Sequence, residues 1–252
     1  MTPIRVIARL DVKGPTVIKG VHLEGLKVVG DPGEMARRYY VEGADEIIYM
    51  DVVASLYQRN NILSVVEQAA HDVFIPLTVG GGLRGIDDIK AALRSGADKV
   101  AINTAAVRRP QFITEAAETF GSQCVVLSVE AKRRAEGTWE ALVDNGRERT
   151  GRDVLDWVVE GEGLGAGEIL VTSVDAEGTR GGFDVDLLTE ICGRVRVPVI
   201  ACGGAGGADD IAALLARAPC DAVCCASIFH DRSCPVGEVK ERLSSAGIEV
   251  RR

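Results

Sequence analysis

Short apolar runs recur along the chain, and each gives way to a loop and then to an amphipathic stretch. The runs are Ile4–Asp11, Glu46–Asp51, Ile75–Val79, Lys99–Asn103, Cys124–Glu130, Glu168–Thr172, Val197–Cys202 and Ala222–Ala226. Near-continuous β-branched runs of this length read as strands buried on both faces, and the amphipathic stretches between them as helices. The helix signals are explicit. Asp31-Pro32-Gly33-Glu34 supplies an N-cap, an N1 proline and a first-turn acid, and Gly43 closes the same helix. Eight strand–helix alternations predict an α/β fold around a parallel sheet.

An internal repeat decides how that sheet closes. Ile75-Pro76-Leu77-Thr78-Val79-Gly80-Gly81-Gly82 aligns with Val197-Pro198-Val199-Ile200-Ala201-Cys202-Gly203-Gly204, an offset of 197 − 75 = 122 residues. Gly85, Asp87, Asp88 and Ile89 then fall on Gly207, Asp209, Asp210 and Ile211. One residue later in register, Asp98 and Asn103-Thr104 fall on Asp221 and Ala226-Ser227. The offset is close to half of the 252 residues, so the chain reads as two similar halves of four βα units. Two such halves predict a single (βα)8 TIM barrel over residues 1–252. Two βα connections are long. Val12–Gly30 is a glycine-punctuated loop, and Thr138–Asp144, Asn145-Gly146 and Arg147–Thr150 read as a hairpin with a type I′ turn, inserted within about 131–151.

Composition narrows the partners. The formal charge is 29 − 37 = −8 and only 4% of residues are aromatic, which argues against nucleic-acid and anionic-membrane surfaces. No run approaches the length of a membrane-spanning helix, and Arg5, Arg9 and Asp11 interrupt the first apolar run, so a cytoplasmic protein without a signal peptide is expected. Seven cysteines without a C-x-x-C spacing read as reduced and mostly buried. His22, His71 and His230 form no ligand set, so neither a metal nor a cofactor is expected, and His230 reads as structural.

In a (βα)8 barrel the chemistry sits at the C-terminal strand ends. Asp11 and Glu130 end equivalent strands of the two halves and face each other as a candidate acid–base pair. Gly81-Gly82 with Asn103-Thr104, and Gly203-Gly204 with Ala226-Ser227, offer backbone amides and hydroxyls near helix starts. Two such sites suit a substrate with a phosphate at each end, without basic side chains. At the opposite ends of the strands, Arg5, Glu46, Lys99 and Glu168 could close a ring of ion pairs across the floor.

These residues also carry a family resemblance. Leu10-Asp11-Val12-Lys13, Lys19-Gly20, Thr78-Val79-Gly80-Gly81-Gly82, Gly96-Ala97-Asp98-Lys99 and Ala101-Ile102-Asn103-Thr104-Ala105-Ala106 resemble the cyclase subunit of imidazole glycerol phosphate synthase. So do Gly121-Ser122-Gln123-Cys124, Thr172-Ser173, Asp175, Gly178-Thr179 and Ala226-Ser227-Ile228-Phe229-His230, which together cover nearly the whole chain. The resemblance implies a subunit of the histidine pathway that pairs with a class I glutaminase and takes its ammonia through the barrel floor. The ammonia would convert a bis-phosphorylated formimino-ribulosyl aminoimidazole carboxamide ribotide into imidazole glycerol phosphate and aminoimidazole carboxamide ribotide. It adds Lys19, Thr172 and Gly178 to the substrate-binding set, makes Arg5, Glu46, Lys99 and Glu168 an ammonia gate, and turns Asp98 and Gln123 toward the glutaminase.

The departures cluster at the mouth. Glu130 stands where the family has a second Asp, and Arg9 where it has a small residue. Ser128 and Glu177 replace a small apolar residue and an Asp, and Gly14-Pro15-Thr16 replaces Asp-Gly-Arg. Arg9 lies two residues from Asp11 on one strand, hence on the same face, and would need Asp11 or Glu130 as a partner if buried. An unaltered floor below an altered mouth also resembles the paralogous branch of surface-polysaccharide pathways. There the barrel and its glutaminase supply ammonia to a separate sugar amidotransferase that makes acetamidino sugars. Both readings stand at this point.

Overall fold

The computed structural model describes residues 2–54 and 62–251. Its strands are β1 (Arg5–Lys13), β2 (Thr16–Val21), β3 (Glu24–Gly30), β4 (Glu46–Asp51), β5 (Leu77–Gly80), β6 (Lys99–Ile102), β7 (Val125–Ala135), β8 (Thr138–Val143), β9 (Glu148–Asp153), β10 (Glu168–Ser173), β11 (Val199–Cys202) and β12 (Ala222–Cys225). Eight of them, β1, β4, β5, β6, β7, β10, β11 and β12, pair in parallel in that order. β12 returns to β1 with Arg5 opposite Ala222, which closes the barrel. Each barrel strand is followed by a helix before the next, from Pro32–Val41 after β1 to Val236–Ser245 after β12. The architecture is a (βα)8 TIM barrel.

The two halves repeat in detail. Short extra helices, Thr104–Arg108 and Ser227–His230, follow β6 and β12, and the residues that open them, Asn103 and Ala226, share a φ of −127°. β5 and β11 both begin two residues later than their apolar runs suggest. The cause is Pro76 and Pro198, which lack the N–H needed to enter the ladder. Their carbonyls still accept the N–H groups of Ile47 and Ile169 at 3.0 Å.

Side chains on one face of the strands fill the barrel, among them Ile7, Ile48, Ala101, Val126, Leu170, Ile200, Ala222 and Cys224. The other face packs on the helices in the larger core. All seven cysteines are free thiols, five of them buried. Among the described residues, no helix is long and apolar enough to cross a membrane.

Two connections differ from expectation. The Val12–Gly30 stretch is a hairpin rather than a loop: β2 pairs antiparallel with β1 and β3, around His22 and Leu23 at φ 51° and 64°. Those angles are the left-handed pair a tight hairpin turn requires, here without a glycine or asparagine to advertise it. In the second hairpin the turn is not two residues. Asp144, Asn145 and Gly146 all have positive φ, and the Arg147 N–H donates to the Val143 carbonyl at 3.1 Å, so the loop spans four residues. β7 also runs past Glu130 to Ala135, because its outer half pairs with β8.

Candidate active site and family

Alternation along β1 turns Arg5, Ile7, Arg9 and Asp11 toward the barrel interior, from floor to mouth. Arg9 is 3% exposed. Its Nε donates to Asp11 Oδ1 at 2.8 Å, and its Nη1 reaches round the lumen to Thr172 Oγ1 on β10 at 3.0 Å and Cys202 Sγ on β11 at 3.7 Å. Burial opposes the guanidinium charge, but the charge and hydrogen bond of Asp11, together with the neighbouring Cys202 and Cys224, outweigh it and hold the Arg9 pKa well above its ordinary value. Of the two carboxylates open to Arg9, Asp11 is the one it bonds. Thr172, expected in the substrate-binding set, accepts the Arg9 Nη1 hydrogen bond inside the barrel.

Glu130 is buried on β7 and accepts the Gly146 N–H at 2.7 Å. Burial pushes its carboxyl up to about 7; Arg9 and the Gly146 N–H pull against that, and the charges of Asp11 and Asp144 add to it. A carboxyl titrating there can give or take a proton at neutral pH, which an ordinary glutamate does poorly.

The first glycine cluster lines a cavity of about 300 Å³ with Gly81, Gly82, Asn103, Thr104, Ser128 and Glu130. Gly81 has φ 90°, and a Cβ there would collide with the Asp51 carbonyl. Gly203, its equivalent 122 residues on, has φ 95°, and a Cβ would lie 2.9 Å from the Ser173 carbonyl. Gly81→Ala is therefore expected to lose at least about 1–3 kcal/mol of stability in a denaturant titration. Asn103 and Thr104 are tied to the second hairpin: Asn103 Nδ2 donates to the Leu142 carbonyl at 3.1 Å, and the Thr104 hydroxyl accepts the Asp144 N–H at 3.1 Å. The sequence did not point to Arg84, Arg108 and Arg109, which also line this cavity, so the site is not built from amides alone.

The second cavity, about 680 Å³, is lined by Lys19, Gly178, Ser227 and His230. Gly203, Gly204 and Ala226, expected at this site, are not among the residues that line it, and the Gly204 carbonyl accepts the Gly182 N–H at 2.9 Å. Lys19 forms an ion pair with Glu177 that fastens the first hairpin to the loop after β10. His230 Nδ1 shares a hydrogen bond of 2.6 Å with the Tyr39 hydroxyl, and burial lowers its pKa to about 4, so it stays neutral. That bond ties it to Tyr39, and its position also places it on the cavity wall.

At the floor, Arg5 Nη1 meets Glu46 Oε1 at 2.6 Å and Arg5 Nη2 pairs with Glu168. Lys99 Nζ meets Glu46 Oε2 at 3.0 Å and Glu168 Oε2 at 2.9 Å, so the four groups close a ring. Burial works against the Arg5 charge, yet Glu168 and Glu46 outweigh it and raise the Arg5 pKa. Asp98 and Gln123 are exposed at the same end of the barrel. The Asp98 carboxylate is occupied by the Leu77 N–H at 2.8 Å, just as Asp221 takes the Val199 N–H at 2.9 Å in the other half.

The chain matches the histidine biosynthesis protein family over residues 5–235. It is 62% identical over 206 residues to imidazole glycerol phosphate synthase subunit HisF of Legionella pneumophila, which covers 82% of this chain and 97% of the relative. It is 50% identical over 247 residues to the protein of the same name from Bacillus cereus (strain Q1), covering 98% of each. The HisF subunit of Streptococcus sanguinis (strain SK36) is 45% identical over 247 residues, again 98% of each chain. The chain belongs to the histidine biosynthesis protein family, among the HisF subunits of imidazole glycerol phosphate synthase.

Proposed function

We propose that this barrel is the cyclase-type subunit of an imidazole glycerol phosphate synthase in the cytoplasm. It receives ammonia from a class I glutaminase at the floor and uses it at the mouth, on the bis-phosphorylated formimino-ribulosyl aminoimidazole carboxamide ribotide. The products are imidazole glycerol phosphate and aminoimidazole carboxamide ribotide. The observation that carries this reading is the vertical arrangement within one barrel: a closed ion ring below, and Asp11 with Glu130 above. The ring of Arg5, Glu46, Lys99 and Glu168 serves as the ammonia gate, and Asp98 and Gln123 face the glutaminase. Asp11 and Glu130 act as the acid–base pair, with Glu130 poised near neutral pH. One substrate phosphate lies against Gly81, Gly82, Asn103 and Thr104. The other lies toward Lys19, Gly178, Gly203, Gly204, Ala226 and Ser227.

A second reading is favoured by one group, Arg9. A guanidinium bonded to Asp11 occupies one member of the acid–base pair. In that reading the barrel conducts ammonia to a separate sugar amidotransferase in surface-polysaccharide synthesis and has little cyclase turnover. The purified chain, assayed with ammonium salt and the family substrate, separates the two. Turnover, together with rescue of a histidine auxotroph lacking its own cyclase subunit, supports the first. No turnover and no rescue, with Arg9→Cys and Glu130→Asp jointly restoring turnover, supports the second. The gate has its own test in the complex with the glutaminase. Lys99→Met is expected to lower glutamine-driven product formation about tenfold or more and to leave ammonium-driven formation within about twofold. Equal losses on both nitrogen sources would remove the gate role.

A further inference from the structure

The turn that holds Glu130 is itself held from above. Leu23, at the tip of the first hairpin, is 5% exposed and packs with Leu142 and Val174 in a small apolar cluster separate from the main core. The backbone of Gly146 lies directly beneath it: a Cβ on Gly146 would come 2.9 Å from Leu23 Cδ1 and 3.8 Å from Val174 Cγ2. Gly146 ends three consecutive residues at positive φ, and its N–H is the donor to Glu130 Oε2. The hairpin tip is pinned to the far side of the mouth. His22 N–H donates to the Glu177 carbonyl at 2.9 Å, His22 Nδ1 meets the Val174 carbonyl at 2.9 Å, and Leu23 N–H donates to Glu177 Oε2 at 3.3 Å.

We propose that Leu23 is a positioning residue for Glu130, acting through the Gly146 N–H. A run of three left-handed residues, two of them not glycine, is costly on its own and persists where packing over-determines it. The far side of the turn is fixed by Asn103 and Thr104, which bind Leu142 and Asp144. Leu23 supplies the opposing contact, so the N–H points at the carboxyl only while the first hairpin lies over it. The two hairpins therefore assemble the acid–base group together, and the first need not touch it. This inference rests on the role given to Glu130 under the proposed function, but its structural half can be read without turnover.

The charged groups facing Glu130 are Arg9 and Asp11 from β1 and Asp144 from the turn, the last paired with Arg108. β10 places the uncharged Thr172 opposite Glu130 in register, and Asn103 is the uncharged neighbour from the end of β6. The test uses the full chain and the amide signal of Gly146 in proton–nitrogen NMR. A hydrogen bond to a carboxylate is charge-assisted and displaces the donor proton downfield. The Gly146 amide is thus expected downfield and moving with pH around 7 as Glu130 ionises. Leu23→Ala should abolish that displacement and its pH response and lower kcat about tenfold, with KM within about twofold; Leu23→Met should restore both. Gly146→Ala, which forces the same contact apart from below, should give the same loss at residue 146 if Leu23→Ala does not fold. An unchanged amide in Leu23→Ala, or one that never responds to Glu130 in the parent chain, overturns the inference. Absence of cyclase turnover in the parent chain instead overturns the proposed function and leaves the amide result to stand by itself.

Discussion

Asp11→Ala is expected to cost about 3–5 kcal/mol of folding stability, and Arg9→Met in the same chain to recover most of it. A buried ion pair is worth little against a well-packed apolar pair, but removing one partner leaves a bare charge inside the protein. Arg9 is that charge: 3% exposed, with Asp11 as the only carboxylate it bonds among the described residues. Thr172 and Cys202 remain after Asp11→Ala, but neither carries a compensating carboxylate. Urea unfolding of both single variants and the double variant gives the full cycle. Additive losses in the double variant would show that Arg9 and Asp11 are stabilised by different surroundings. Activity should not recover with stability, because the alanine still lacks the carboxyl at the mouth.

Glu130→Gln is expected to lower turnover by about 10² to 10⁴-fold, the usual range for removing a positioned acid or base. The same change should make the protein more stable in alkaline solution. Glu130 is a carboxyl whose folded-state pKa is raised, from 4.5 to about 7. Between those values the folded state binds its proton more tightly than the unfolded chain does, so stability falls as pH rises through this window. Below about pH 4.5 both states hold the proton and glutamine gains nothing. Above about pH 7 the parent must keep a carboxylate in a buried site, and the variant escapes this by about 1–3 kcal/mol. Thermal or urea unfolding at pH 4.5 and pH 8 reads the difference directly. An equal stability gap at the two pH values would place the Glu130 titration outside that window.

Most of the barrel is legible from the pattern of apolar runs, because a strand buried on both faces cannot hide its composition. The 122-residue repeat then supplies closure, which no single unit could. Both are short-range or periodic signals, and that is why they survive in a bare sequence. The floor groups are legible for a similar reason: they open strands whose direction is known, so Arg5, Glu46, Lys99 and Glu168 must share one end. The mouth is harder. Its first hairpin turns at His22-Leu23, a pair without the glycine or asparagine that usually marks such a turn, and nothing local announces it. The bond from Gly146 to Glu130 joins an insertion to a barrel strand, and its geometry depends on a four-residue loop that Asn145-Gly146 suggests as two. Arg9 is the intermediate case. Alternation puts it on the inner face with Asp11, but only the assembled lumen shows it reaching Thr172 three strands round the barrel.

The floor ring also depends on the two halves being unlike. Glu46 and Glu168 are 122 residues apart and occupy equivalent places in the two halves, whereas Arg5 and Lys99 both belong to the first half. Two copies of the first half would set four cations against two glutamates, and two copies of the second would bring two glutamates with no cation. Only unlike halves give two of each. A neutral ring of this composition therefore requires halves that differ at their strand starts, and a barrel of two identical halves would have the fold without the ring.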